Sequence, residues 1–159
     1  MTLETNYAYM AGLVDGEGCI CIQMILPEQH FKYYRKYRPS PQYQLKISID
    51  MCSLDCLKKA QGVFGGKITS REREGTRFKI YHWYLFSLNA ANALKKMLPY
   101  LQEKKQQAIT AIDFQKIIKH HSGRKPLTSE EIADRHKYFL RIKEQKTNKL
   151  TLVASKGLP

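Results

Sequence analysis

Two acids bracketed by glycines, Asp15-Gly16-Glu17-Gly18, follow the small apolar run Met10-Ala11-Gly12-Leu13-Val14. Carboxylates are hard oxygen ligands of the kind that hold divalent cations. Helical spacing puts Ala8, Gly12 and Gly16 on one face of a first helix expected over about Asn6–Asp15. Glycine in a helix interior costs about 1 kcal/mol relative to alanine. Two on one face therefore predict that something packs very close to that backbone. The acids fall at the C-terminal end of this helix, where the macrodipole disfavours negative charge. Set against both propensity and charge logic, they point to chemistry rather than stability.

The rest of the chain narrows what that chemistry acts on. Over 159 residues, Lys+Arg 27 against Asp+Glu 14 gives a net charge of +13. Such an excess points to a polyanion, nucleic acid first and an anionic membrane surface second. The length fits one domain able to bury roughly two thirds of its unfolded surface. A hydrophobic content of 43% argues for a folded chain. No apolar run approaches the roughly 20 residues of a membrane span, and no signal-peptide pattern opens the chain. These features set an expectation of a soluble, non-secreted, intracellular protein. The cysteines Cys19, Cys21, Cys52 and Cys56 have C-x-C and C-x3-C spacings rather than the paired C-x2-C of zinc sites, so they read as reduced thiols.

The elements that must position the acids follow in an alternating order. Cys19–Met24 alternates, with Ile20, Ile22 and Met24 on one side. Gln42–Met51 is the clearest strand, with Tyr43, Leu45, Ile47, Ile49 and Met51 opposite Gln42, Gln44, Lys46, Ser48 and Asp50. Between them, residues 27–41 mix cations (Lys32, Arg35, Lys36, Arg38) with aromatics. Ser53 is a candidate cap for a helix stopped by Gly65-Gly66. A second hairpin is expected from Lys67–Arg73 and Thr76–Phe86, turning at Glu74-Gly75. Asn89 is a candidate cap for a helix ending at Pro99, and Leu101–His120 reads as another. After a linker at 122–126, Thr128 and Glu131 form a capping box for a last helix through about Lys146. The domain is thus expected over 1–146, with 147–159 a patternless tail that could be flexible. Trp83, Tyr84 and Phe86 read as core.

The nonapeptide Met10–Gly18 resembles the LAGLIDADG signature of homing endonucleases, in the form that occurs once per chain. Met10 stands for the first Leu, Val14 for Ile, Gly16 for Ala and Glu17 for the second Asp. The resemblance implies an α+β fold of αββαββα order, with a curved antiparallel saddle across DNA, helices on its other side and further C-terminal helices. Because that family needs two motif helices, one motif per chain implies a homodimer joined through Ala8, Gly12, Gly16 and Asp15, with Asp15 also serving the helix end and its packing. It further implies that Glu17 is a metal ligand and catalytic acid, aided by the Gly16 carbonyl, with Mg2+ as cofactor and Mn2+ or Ca2+ able to substitute in binding. Glu at this position adds one methylene to the metal arm. Lys104 is the candidate lysine near the attacking water, with Lys105 the alternate. Asp50 or Ser53 lies where the family places a water-positioning side chain.

The polar strand faces are the natural DNA contacts, since a two-stranded ribbon fits the major groove. Gln23, Gln42, Gln44, Lys46 and Ser48 serve from the first pair, and Arg71, Arg73, Arg77, Lys79 and Tyr81 from the second. Lys32, Arg35 and Arg38 would grip flanking backbone. The activity implied is metal-dependent, staggered double-strand cleavage leaving 3′ overhangs at a long, pseudo-palindromic site, as in intron homing. It would act in a bacterial or phage cytoplasm or an organelle matrix. An RNA maturase or DNA-binding regulator on the same fold is the alternative.

Overall fold

The computed structural model describes residues 2–34, 39–72, 79–118 and 126–155. Helix α1 (Leu3–Glu17) leads into β1 (Gly18–Ile25), then α2 (Pro27–Tyr34) and β2 (Gln42–Met51). Helix α3 (Leu54–Phe64) precedes β3 (Lys67–Glu72) and β4 (Lys79–Phe86), and α4 (Ser87–Met97), α5 (Lys105–Ile117) and α6 (Ser129–Ser155) complete the chain. All strand pairs are antiparallel, in the order β1-β2-β4-β3. The α+β order expected from the sequence is present, with the short α2 added between the first two strands. Arg35, Lys36, Arg38, Arg73, Arg77 and the Glu74-Gly75 turn lie outside the described residues, as does the linker at 122–125.

Strand alternation gives the sheet one buried face. Ile20 and Ile22 of β1, Leu45, Ile47 and Ile49 of β2, and Trp83 and Leu85 of β4 pack in one cluster with Met10, Ala11 and Val14 of α1. Leu57 of α3, Leu94 and Met97 of α4, Phe114 of α5 and Ile142 of α6 close over it. The register pairs Ile20 with Ile47 and Ile49 with Trp83, so these side chains stand side by side across three strands. A slip of one residue would turn them all outward.

Trp83 is fully buried and donates its indole N–H to the Gly65 carbonyl at 2.9 Å. That bond fixes which residues of β4 point inward. It also explains the glycine pair: Gly66 has φ +93°, and a Cβ there would lie 2.7 Å from the Tyr84 carbonyl oxygen and 3.0 Å from the indole nitrogen. Only glycine fits both demands.

Element boundaries depart from the sequence expectation where tertiary contacts set them. Thr2 Oγ1 accepts the Thr5 amide at 3.2 Å, so α1 begins at Leu3 rather than Asn6 and runs on to Glu17. Helix α4 starts at Ser87, directly after β4, so Asn89 is not its cap. Ser87 carries a φ of +51° at this abrupt junction. The Thr128–Glu131 capping box is formed by both reciprocal bonds, at 3.0 and 3.2 Å, but α6 extends past Lys146 to Ser155.

Candidate active site and polar sheet face

The glycine after the acids is required by the fold. Gly18 donates its amide to the Val14 carbonyl, and a Cβ on it would lie 2.7 Å from Val14 Cα. The chain can therefore leave α1 and enter β1 without a gap, which holds Glu17 at the junction. Gly12 and Gly16 are different. A Cβ at either would meet nothing within 4 Å, and Ala8, Gly12 and Gly16 are all exposed. Among the described residues nothing fills the small face of α1.

The two acids have separate surroundings. Asp15 turns back into the chain, its carboxylate accepting the amides of Gln102 at 2.8 Å and Lys104 at 2.9 Å. Lys104 replies with its ammonium, which donates to the carbonyls of Val14 at 2.9 Å and Asp15 at 2.5 Å. These carbonyls belong to the last turn of α1, the negative end of its dipole, where a cation is favoured. The lysine thus supplies the positive charge that the last turn of α1 lacks in its own sequence. The same contacts delay α5, which begins at Lys105 rather than Leu101. Asp15 is consequently a strut within the chain. Glu17, two residues on, is exposed.

Across the sheet, Gly18 pairs with Ile49, so Glu17 and Asp50 stand just beyond the same rung on neighbouring strands. Asp50 in turn pairs with His82. Its carboxylate accepts a hydrogen bond from His82 Nδ1 through one oxygen and faces Arg71 Nη2 at 3.8 Å through the other. Asp50 therefore lies near Glu17, as its sequence position suggested, but within the chain both its oxygens already have partners. Ser53 precedes α3 without capping it, its hydroxyl instead donating to Cys56 Sγ at 3.4 Å.

The polar face of the sheet is wider than the sequence suggested. Gln23 lies across from Gln44, whose amide donates to Ser87 Oγ at 3.3 Å, while Gln42 donates to the Ser40 carbonyl at 3.1 Å. The Lys46 ammonium sits over the rings of Tyr84, at 5.5 Å, and Phe86, at 5.9 Å. Register corrects four assignments. Tyr81 and Lys79 share the parity of Trp83, so they fall on the helix-covered side, where Tyr81 packs against the core and Lys79 stays exposed at the strand's start. Tyr84 and Phe86, expected in the core, stand with Lys46 and His82 on the polar side. Ser48 belongs to the polar face but is only 8% exposed, flanked by Cys19 and Tyr84. Lys67, Thr69 and Arg71 of β3 extend this face, and Lys32 lies exposed on α2.

One thiol is strongly perturbed at the start of β1. A hydrogen bond from Cys21 and the Lys146 ammonium at 3.1 Å hold the Cys19 thiol down to about 5, while the same pairing pushes Cys21 up. Among the described residues no three His, Cys, Asp or Glu side chains gather where they could hold a metal ion. Glu17 and Gly16, at the end of α1, supply one carboxylate and one carbonyl, fewer oxygen donors than a divalent cation takes.

The fold and this site together define a protein with a basic, strand-built face and an exposed acid at the end of a small-faced helix. The model of the LAGLIDADG endonuclease family matches residues 10–121, and the chain belongs to that family of DNA-cleaving enzymes. Among solved structures it is similar to the homing endonuclease I-CvuI in complex with its target in the presence of calcium, with 18% identity, 90% of this chain and 83% of that chain covered, and a TM-score of 0.69. A second I-CvuI structure, with DNA and magnesium and the DNA not cleaved, matches at 24% identity over 72% and 68% of the two chains, with a TM-score of 0.56. The archaeal intron-encoded homing endonuclease I-Vdi141I complexed with DNA matches at 15% identity over 91% and 86%, with a TM-score of 0.67. None of the curated proteins matches the chain.

His82 is the site residue that the sequence did not single out. A lone histidine between aromatics on a strand carries no spacing signal, and only the pairing of β2 with β4 brings it to Asp50.

Proposed function

We propose that the chain is a homodimeric, divalent-metal-dependent DNA endonuclease that makes staggered double-strand cuts, leaving 3′ overhangs, at a long and nearly palindromic site, as in intron homing. The observation that carries this reading is the pairing of an open small-residue face on α1 with an exposed Glu17 at its end. Packing that face against the same face of a second copy buries the glycines where nothing else does, and it brings two Glu17 carboxylates together. Like charges so placed require a counter-charge. Glu17 and the Gly16 carbonyl are the groups that would hold Mg2+, and Mn2+ or Ca2+ would support binding. The ion, when bound, neutralises charge on the phosphate and lowers the pKa of a bound water.

Lys104 keeps the end of α1 in place and puts a cation two residues from Glu17. For the DNA, Gln23, Gln42, Gln44, Lys46 and Arg71 offer donors and acceptors on one sheet face, as major-groove readout requires. Lys32, with Arg35, Arg38, Arg73 and Arg77 of the neighbouring sequence, would bind phosphates and make affinity fall steeply with salt. Among the described residues no helix is long and apolar enough to cross a membrane, in keeping with action on intracellular DNA. Residues 1–146 would form the working domain.

The test is cleavage of DNA carrying the candidate insertion site, with and without Mg2+, by the native protein and Glu17→Gln. Metal-dependent double-strand cutting by the native protein alone supports the reading. Binding by both proteins with cutting by neither would instead indicate a maturase or a regulator.

A further inference from the structure

The Asp50, His82 and Arg71 side chains form a unit that metal binding does not need. It spans three strands on the polar face: Asp50 on β2, His82 directly opposite on β4, and Arg71 on β3. An ionised carboxylate can only accept, so the bond to Asp50 places the imidazole proton on Nδ1. When the ring is neutral, Nε2 is then the acceptor. Its plane is set from the side by Tyr84, whose ring centroid is 5.1 Å away. Among the described residues nothing else hydrogen-bonds the His82 ring. Arg71 is mostly exposed, and its contact with Asp50 leaves donors of the guanidinium fork for other partners.

An acceptor and a pair of donors thus stand on adjacent strands at diagonal positions, with Arg71 opposite Ile80 and His82 opposite Thr69, within reach of long side chains. The major-groove edge of a C·G pair is complementary to this arrangement: cytosine N4 donates, while guanine O6 and N7 accept. We infer that His82 and Arg71 read one C·G pair in each half-site, His82 accepting from cytosine and Arg71 donating to guanine, with Asp50 as the residue that positions both. The inference rests on the DNA-endonuclease reading and adds to it a specificity determinant and the base pair it selects. It also gives Asp50 a role distinct from positioning water.

Selecting bound duplexes from a randomised library with the full-length native protein, His82→Ala and Asp50→Asn tests this without relying on cleavage. The native protein is expected to select C·G at one position per half-site, by about tenfold over T·A. Both variants should lose most of that preference at the same position and keep it elsewhere. N4-methylcytosine there removes the major-groove donor and should weaken the native protein about tenfold, while leaving His82→Ala nearly unchanged. That arm uses the native protein, so a folding defect in a variant cannot decide the matter. Unchanged base preference in His82→Ala, or indifference of the native protein to N4-methylation, overturns the inference while the nuclease reading stands. Asp50→Asn with intact preference but slower single-turnover cutting also overturns it, returning Asp50 to the attacking water. Failure of the native protein to bind any duplex overturns both readings.

Discussion

Asp15 and Lys104 hold each other twice: the Asp15 carboxylate accepts the Lys104 amide at 2.9 Å, and the Lys104 ammonium donates to the Asp15 carbonyl at 2.5 Å. This reciprocal clasp joins the end of α1 to the start of α5, elements separated by most of the chain. It fixes the direction in which the last turn of α1 delivers Glu17. Lys104 is therefore as much a structural residue as a charged neighbour of the acid.

Replacing Lys104 with Met should destabilise the fold by about 1–3 kcal/mol, because two carbonyls at a helix end lose a charged donor. Denaturant unfolding measures it. Asp15→Asn should cost part of the same energy, and the double variant less than the sum, since one clasp is being broken twice.

Gly12→Leu tests the open face. Nothing within 4 Å would obstruct a Cβ, and leucine is the better helix former by up to about 1 kcal/mol. The protein should fold with undiminished secondary structure, yet sediment as a monomer where the native protein is expected to sediment as a dimer.

Glu17→Gln removes a negative charge from a helix C-terminus, so thermal unfolding should be unchanged or slightly later. DNA affinity without divalent metal should persist, and Mg2+-dependent cutting should vanish. Loss of binding and of fold together would instead make Glu17 structural.

Burial raises the Tyr43 phenol above its ordinary value, and its hydroxyl lies 3.1 Å from His136 Nδ1. In the unfolded chain the phenol ionises near pH 10, whereas in the folded protein it stays neutral to higher pH. Tyr43 therefore leaves stability level below about pH 10 and lowers it as pH rises further. Tyr43→Phe should flatten that alkaline decline in unfolding midpoints.

How much the sequence revealed depended on whether composition or pairing carried the information. Strand β2 alternates apolar and polar residues along its whole length, so its span and both faces were legible from Gln42 to Met51. Strand β4 was not, because it is apolar or aromatic on both sides. Only the Trp83–Gly65 bond and the register settle that Tyr81 faces in while His82 and Tyr84 face out. The acids were legible because their setting violates helix preferences. That Asp15 is an internal strut and Glu17 is exposed depends on residues 102 and 104, far along the chain. The Asp50–His82 pair was hidden for the same reason.

The most direct measurement is anomalous diffraction from crystals of the protein bound to its DNA site and soaked in Mn2+. The account predicts two copies of α1 packed through Gly12 and Gly16, with anomalous peaks at coordination distance from the Glu17 carboxylates. Peaks absent from Glu17, or a complex in which the α1 helices do not meet, would contradict it.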